Sequence, residues 1–242
     1  MQIEIRYQPS YSLAIVSLAA NESIQAESGA MVSMSSNVQV ETSMKGGMLG
    51  AVARKVLGGE SLFTNTFTSA GTPGEITLAP SLPGDLTTVS LSNETMFIQS
   101  GSFLAGHPSL ELDLSWGGAR AFFGSEGLFL LRATGTGPVV LSSYGAIHKV
   151  EIGSGRSYVC DTGHVVAFTQ GLEYDVRKVG GWKSTLLSGE GLVCEFRGNG
   201  VLWLQTRSTQ AFLSWLLPRL PTGTGGGGGR GGGIFGNILS GN

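Results

Sequence analysis

The sequence predicts an all-β protein of three tandem β units in a pseudo-threefold arrangement, closed by a short C-terminal helix. Three observations predict it. A glycine-punctuated phrase occurs three times, glycine makes up 39 of 242 residues while charged residues are only 13%, and apolar residues alternate with polar ones in short runs. Many short strands broken by glycine turns point to a sandwich or barrel, not to βαβ units. The thrice-used phrase is a Gly-Gly pair, a spacer, then a small-Glu-small-Leu block feeding an apolar run. A unit this small seldom buries its own apolar face, so repetition of this kind specifies architecture before chemistry.

Taken in order, the chain enters a strand at once with Ile3-Glu4-Ile5-Arg6-Tyr7, which predicts no leader segment. Ser23 to Met34 follows, then the alternating Val38-Gln39-Val40-Glu41. The first phrase runs from Gly46-Gly47 to Gly58-Gly59-Glu60-Ser61-Leu62-Phe63, and its spacer places Met48, Leu49, Val52, Val56 and Leu57 at helical spacing. Gly71-Thr72-Pro73-Gly74 then centres a hairpin-like stretch from Thr64 to Ala79. In the middle unit, Ile98 to Phe103 and the alternating Leu110-Glu111-Leu112-Asp113-Leu114 precede Gly117-Gly118 and Gly124-Ser125-Glu126-Gly127-Leu128-Phe129. A second hairpin-like stretch is expected around Gly135-Thr136-Gly137-Pro138. In the last unit, Ser157 to Phe168 matches Ser23 to Met34 at an offset of 134, and Gly180-Gly181 keeps that offset from Gly46-Gly47. The phrase ends in Ser188-Gly189-Glu190-Gly191-Leu192-Val193, and a third hairpin-like stretch surrounds Gly198-Asn199-Gly200. Glu60, Glu126 and Glu190 stand 66 and 64 residues apart. The expected divisions are residues 1–80, 81–145 and 146–220, with a glycine-rich tail over 221–242.

A helix is expected after the last strand. Ser208 or Thr209 can cap it, Phe212, Trp215 and Leu216 share a face, and Pro218 stops it. From Thr222 to Gly233 the chain is nearly all glycine around Arg230, a composition that packs no core and reaches about 20 Å. The apolar Ile234 to Leu239 that follows offers a docking segment for a neighbouring subunit or protein partner, too short to span a bilayer.

Several chemistries lose support. His107, His148 and His164 form no H-x-H or H-E-x-x-H pattern, and the cysteines no C-x-x-C, so no metal or other cofactor is expected. No serine has the glycine flanks of a nucleophile elbow, and Trp182 occupies the place where a P-loop needs glycine before lysine. Cys160-Asp161-Thr162-Gly163-His164 groups a thiol, a carboxylate and an imidazole. The same slot in the first unit reads Ala26-Glu27-Ser28-Gly29-Ala30, which assigns Asp161-Thr162-Gly163 to a retained turn. Two cysteines, Cys160 and Cys194, fit a reducing interior and a cytoplasmic protein, with association to a membrane surface left open. A net charge of −2 argues against a nucleic-acid partner. So little charge also predicts that part of the exterior is covered by subunit contacts.

The Gly-Gly pairs, the Glu-Gly-Leu-Phe block and the closing Trp203-Leu204-Gln205-Thr206-Arg207 resemble a bacterial and archaeal family. That family is related to the mitochondrial proteins named for altered inheritance of mitochondria. The likeness covers roughly residues 1–220. It implies a fold like the Trp RNA-binding attenuation protein, of double-stranded β-helix type, with three units per chain and a trimer whose nine units close a ring. Mitochondrial relatives are associated with inner-membrane organisation. RNA binding does not carry over, because the repeat slots hold glycine, glutamate and apolar residues where the attenuation protein uses lysine and arginine. The resulting expectation is a non-enzymatic homo-oligomeric scaffold or interaction protein. Two alternatives stand beside it: a small-ligand or cation-binding protein using Glu60, Glu126 and Glu190, and a cysteine-dependent enzyme centred on Cys160.

Overall fold

The computed structural model describes residues 1–43, 64–113, 130–178 and 192–220, which form a β body ending at Ser208 and a separate helical segment from Thr209. The strands fall in three successive stretches of chain, of which the first, residues 2–78, supplies β1 (Gln2–Arg6), β2 (Leu13–Leu18), β3 (Ser23–Glu27), β4 (Met31–Met34), β5 (Val38–Ser43), β6 (Thr64–Ser69) and β7 (Gly74–Leu78). The middle stretch supplies β8 (Leu86–Gln99), β9 (Phe103–Gly106), β10 (Glu111–Asp113) and β11 (Leu130–Ser142). The last supplies β12 (Ile147–Ile152), β13 (Ser157–Asp161), β14 (Val165–Thr169), β15 (Leu172–Lys178), β16 (Leu192–Gly198) and β17 (Gly200–Gln205). Every ladder between these strands is antiparallel.

The ladders follow one plan in each stretch. In the first, β7 pairs with β2 and β4, while β6 pairs with β3 and β5. In the last, β17 pairs with β12 and β14, while β16 pairs with β13 and β15. The middle stretch fuses these roles into two long strands. Residues 136–142 of β11 face residues 86–92 of β8 and also carry β9, while residues 130–135 face residues 94–99 and also carry β10. A bulge at Asn93, opposite the step from Gly135 to Thr136, separates the two halves, and the Asn93 amide donates to Thr136 Oγ1 at 3.0 Å. The stretches are joined in series: β3 pairs with β9, and β8 pairs with β14. These two ladders make β12-β17-β14-β8-β11-β9-β3-β6-β5 a continuous sheet, flanked by β1-β2-β7-β4 and β13-β16-β15.

The three expected hairpins are not hairpins. β6 and β7 lie in different sheets, as do β16 and β17, and β11 runs unbroken through Gly135 and Gly137. Glycine explains both the expectation and its failure. Gly71, Gly135, Gly137 and Gly198 all take positive φ, a freedom that serves a chain reversal and a kink between sheets equally well.

Three apolar clusters form the core, and each draws on more than one stretch. Val16, Ile24, Phe67 and Ile76 pack with Leu86, Leu104 and Val140 from the middle stretch. Met96, Phe103 and Leu141 pack with Val166, Ala167 and Trp203 from the last. Phe97 and Leu130 join Phe168, Phe196 and Leu202. There Phe168 meets Phe97, Phe196 and Tyr174 at ring-centroid distances of 5.2, 5.1 and 5.3 Å, contacts worth roughly 0.5–1.5 kcal/mol each beyond area burial.

Where the stretches meet, Asp85 is buried and gathers donors from both sides. Gln8 Nε2 (2.9 Å), Ser12 Oγ (3.2 Å) and the Leu86 amide (2.8 Å) reach Oδ1, and the Ile147 amide reaches Oδ2 at 3.4 Å. Gly84 and Gly145 bridge beside it, and a methyl group at Gly84 would overlap the Ser143 carbonyl.

The helical segment consists of α1 (Thr209–Leu216) and a 3-10 turn from Leu217 to Arg219. Pro218 falls inside that turn, as expected of a residue that cannot continue the helix. Phe212 and Trp215 stack at 6.3 Å, and the Arg219 guanidinium lies 4.8 Å over the Trp215 ring.

Candidate functional site

Glu60, Glu126 and Glu190, the Met48–Leu57 helix and the tail from Leu239 back to Thr222 all lie outside the described residues. The other sequence-derived candidate, Cys160 to His164, is described in full. Cys160 stands opposite Cys194 in the ladder between β13 and β16. Burial, and then the neighbouring Asp161 carboxylate, pushes its thiol up to about 12. Burial pushes the Cys194 thiol up as well, with Cys160 and Asp175 adding to it. A nucleophilic thiol needs the opposite shift. Asp161 accepts a hydrogen bond from the Gly163 amide at 2.8 Å and so closes the turn. His164 Nδ1 lies 2.6 Å from the Gln205 carbonyl oxygen, and Gln205 Nε2 donates to the Gly163 carbonyl at 2.9 Å. These groups brace the corner between β13 and β14.

Among the described residues, no three His, Cys, Asp or Glu side chains are grouped to hold a metal ion. An open groove of about 240 Å³ beside Tyr11, Pro80, Leu82 and Pro83 has no charged side chain in its lining. Such a surface offers little to orient a small polar ligand.

The feature that stands apart is a pair of strand edges. β9 and β14 hold the same place in their stretches as β4 does in its own. Phe103, Leu104, Ala105 and Gly106 of β9 are all buried, as are Val165 to Phe168 of β14. In β4 every residue is exposed, and Val32 reaches 58%. The difference has a direct cause: β9 is covered by β3 and β14 by β8, while β4 is a sheet edge. The converse holds for β13. Its counterparts bury Ile24, Gln25 and Ala26 in β3 and Met96, Phe97 and Ile98 in β8. In β13 Tyr158 and Cys160 are only half-buried, and Val159 is 47% exposed. Exposed edge strands of this apolarity are normally blunted by charge or proline, and Met31 to Met34 carries neither. Sequence reasoning missed these edges, because Met31-Val32-Ser33-Met34 is as apolar as the buried strands it matches.

The model for the family described as Mitochondrial biogenesis AIM24 matches residues 3–207, almost the whole β body. The chain belongs to this family. An uncharacterised protein of Streptococcus pyogenes serotype M6 is 30% identical over 230 residues, covering 92% of each chain. The X-ray crystal structure of a Streptococcus pyogenes protein superposes with a TM-score of 0.74 at 28% identity, covering 90% of this chain and 99% of that one. The AIM24 match ends at Arg207, so it takes in β17 and stops before α1. Among the described residues no helix is long and apolar enough to cross a membrane.

Proposed function

We propose that this AIM24-family chain is a non-enzymatic subunit of a ring-shaped homotrimer serving as a scaffold or interaction platform. Each chain contributes three copies of one module, of the type found in the Trp RNA-binding attenuation protein, over residues 1–80, 81–145 and 146–220. The shared ladder plan supports the copying, since independent strands have no reason to adopt the same pairing three times. A repeated rotation from one module to the next leaves an unpaired edge at each end of the chain, and three chains placing nine modules about one axis satisfy them all. A threefold closed within one chain would join β13 to β4, and neither strand carries that ladder. A cytoplasmic setting suits the two free cysteines, and a membrane face or a protein held by the tail is the class of partner such a platform would organise.

One observation carries the reading: β4 is wholly exposed where β9 and β14 are wholly buried. The raised thiols and the engaged His164 speak against the cysteine-enzyme alternative. Light scattering coupled to size exclusion tests the proposal on the full chain. The expected mass is three times the 25.2 kDa of one chain, and a single-chain mass at micromolar concentration overturns it.

A further inference from the structure

The chain builds the same inter-module junction twice, and the two examples share a register. Each module has a turn glycine after its β3-type strand: Gly29, Gly101 and Gly163. Between the first and middle modules, Ala26 faces Ala105 and Gln25 faces Gly106. Between the middle and last, Ile98 faces Ala167, Phe97 faces Phe168 and Met96 faces Thr169. In both cases the residue three before one turn glycine faces the residue four after the next module's turn glycine. The rule is set by backbone hydrogen bonding, which does not depend on side-chain identity.

Resting on the oligomeric reading above, we propose that β13 of one copy adds antiparallel to β4 of a second copy in this same register. Cys160 then faces Ser33 of the next copy, Val159 faces its Met34, and Tyr158 faces its Ser35. The junction is head-to-tail: two different edges meet, so each copy donates one and accepts one. A second copy is the occupant the molecule itself specifies. β4 holds the place against β7 that β9 holds against β11, and β13 the place against β16 that residues 94–99 of β8 hold against β11. The apolar surface agrees, since Met31, Val32 and Met34 on one edge and Val159 on the other are 41–58% exposed, while Gln25, Phe97, Leu104 and Val166 in the internal junctions are buried. Alternation in register matters here, because a slip of one residue would turn each apolar side chain to the wrong face.

Cysteine pairs read the register directly. Opposed residues in an antiparallel ladder stand about 4.5–5.5 Å apart at Cα, within the span of a disulfide. The full-length M34C/V159C variant, oxidised with copper phenanthroline, is expected to give chain-to-chain disulfides up to the closed oligomer on a non-reducing gel. The single variants M34C and V159C should give at least tenfold less. V32C/V159C, displaced by two residues or about 7 Å along the strand, should do the same. An oligomer by light scattering in which M34C/V159C forms no such bond, or in which V32C/V159C bonds equally well, overturns the ladder while leaving the trimer standing. A wild-type mass of one chain overturns the trimer itself. As a second arm, Met34→Lys and Val159→Lys should each shift the mass towards one chain with an unchanged far-UV spectrum. A folded Lys variant that keeps the wild-type mass counts equally against the ladder.

Discussion

The middle stretch of strands and its two neighbours share one ladder plan and yet differ in continuity and burial. The middle one has a partner on both sides, and its strands run 14 and 13 residues without a break. The outer stretches each have one internal partner, and the strands that match β8 and β11 are five to seven residues long. Burial follows partnership more closely than it follows sequence. Ser33, Ala105 and Ala167 hold equivalent places, and only the two alanines have a strand laid over them. Exposure of an apolar strand here follows from the lack of a covering strand among the described residues, not from a weaker apolar sequence.

The sharpest break of that comparison is a charge at the equivalent position. Ala167→Glu places an unpaired carboxylate in the ladder to β8 and should cost several kcal/mol, with loss of the cooperative urea transition. Ser33→Glu should leave the chain folded by circular dichroism and abolish only its self-association. Equal damage at both sites would erase the distinction drawn here.

Next in size is the hub around Asp85. Asp85→Ala leaves the donors of Gln8, Ser12, Leu86 and Ile147 without their shared acceptor and should destabilise by roughly 2–3 kcal/mol in urea titration. Gly84→Ala should be comparably harmful, because its methyl group meets backbone that cannot step aside. A smaller effect is expected at the cysteines. Their folded-state values lie above the unfolded value of about 8.5, so the stabilisation is complete below that pH. It is lost as pH rises through the folded value, about 12 for Cys160. The urea midpoint should therefore decline above pH 9, and Cys160→Ser should make the decline shallower. Iodoacetamide should modify Cys160 at least tenfold more slowly than free cysteine at pH 8. Smallest of all, Lys149→Ala removes an exposed 2.9 Å pair with Glu151 and should leave the urea midpoint unmoved.

Much of the fold was legible because alternation and glycine placement are local. Ile3 and Ile5 alternate in β1 as their spacing demands, and the matched segments Ser23–Met34 and Ser157–Phe168 each hold two strands, β3 and β4 in one and β13 and β14 in the other. The turn reading of Asp161-Thr162-Gly163 was likewise available, since an aspartate two before a glycine offers its carboxylate to that amide. The hairpins were misread because positive φ at glycine does not say which strands will bond across it. The open edges were hidden for a different reason: exposure depends on which strand is absent, and absence leaves no mark in Met31-Val32-Ser33-Met34.

In the proposed ladder the joining edges belong to different strands, β13 and β4, so each chain has a donor end and an acceptor end. A copy blocked only at β4 and another blocked only at β13 still own one sound joint between them. Mixed together, they should stop at a couple, and either one added to the native protein should poison assembly by capping a growing arc before it can close.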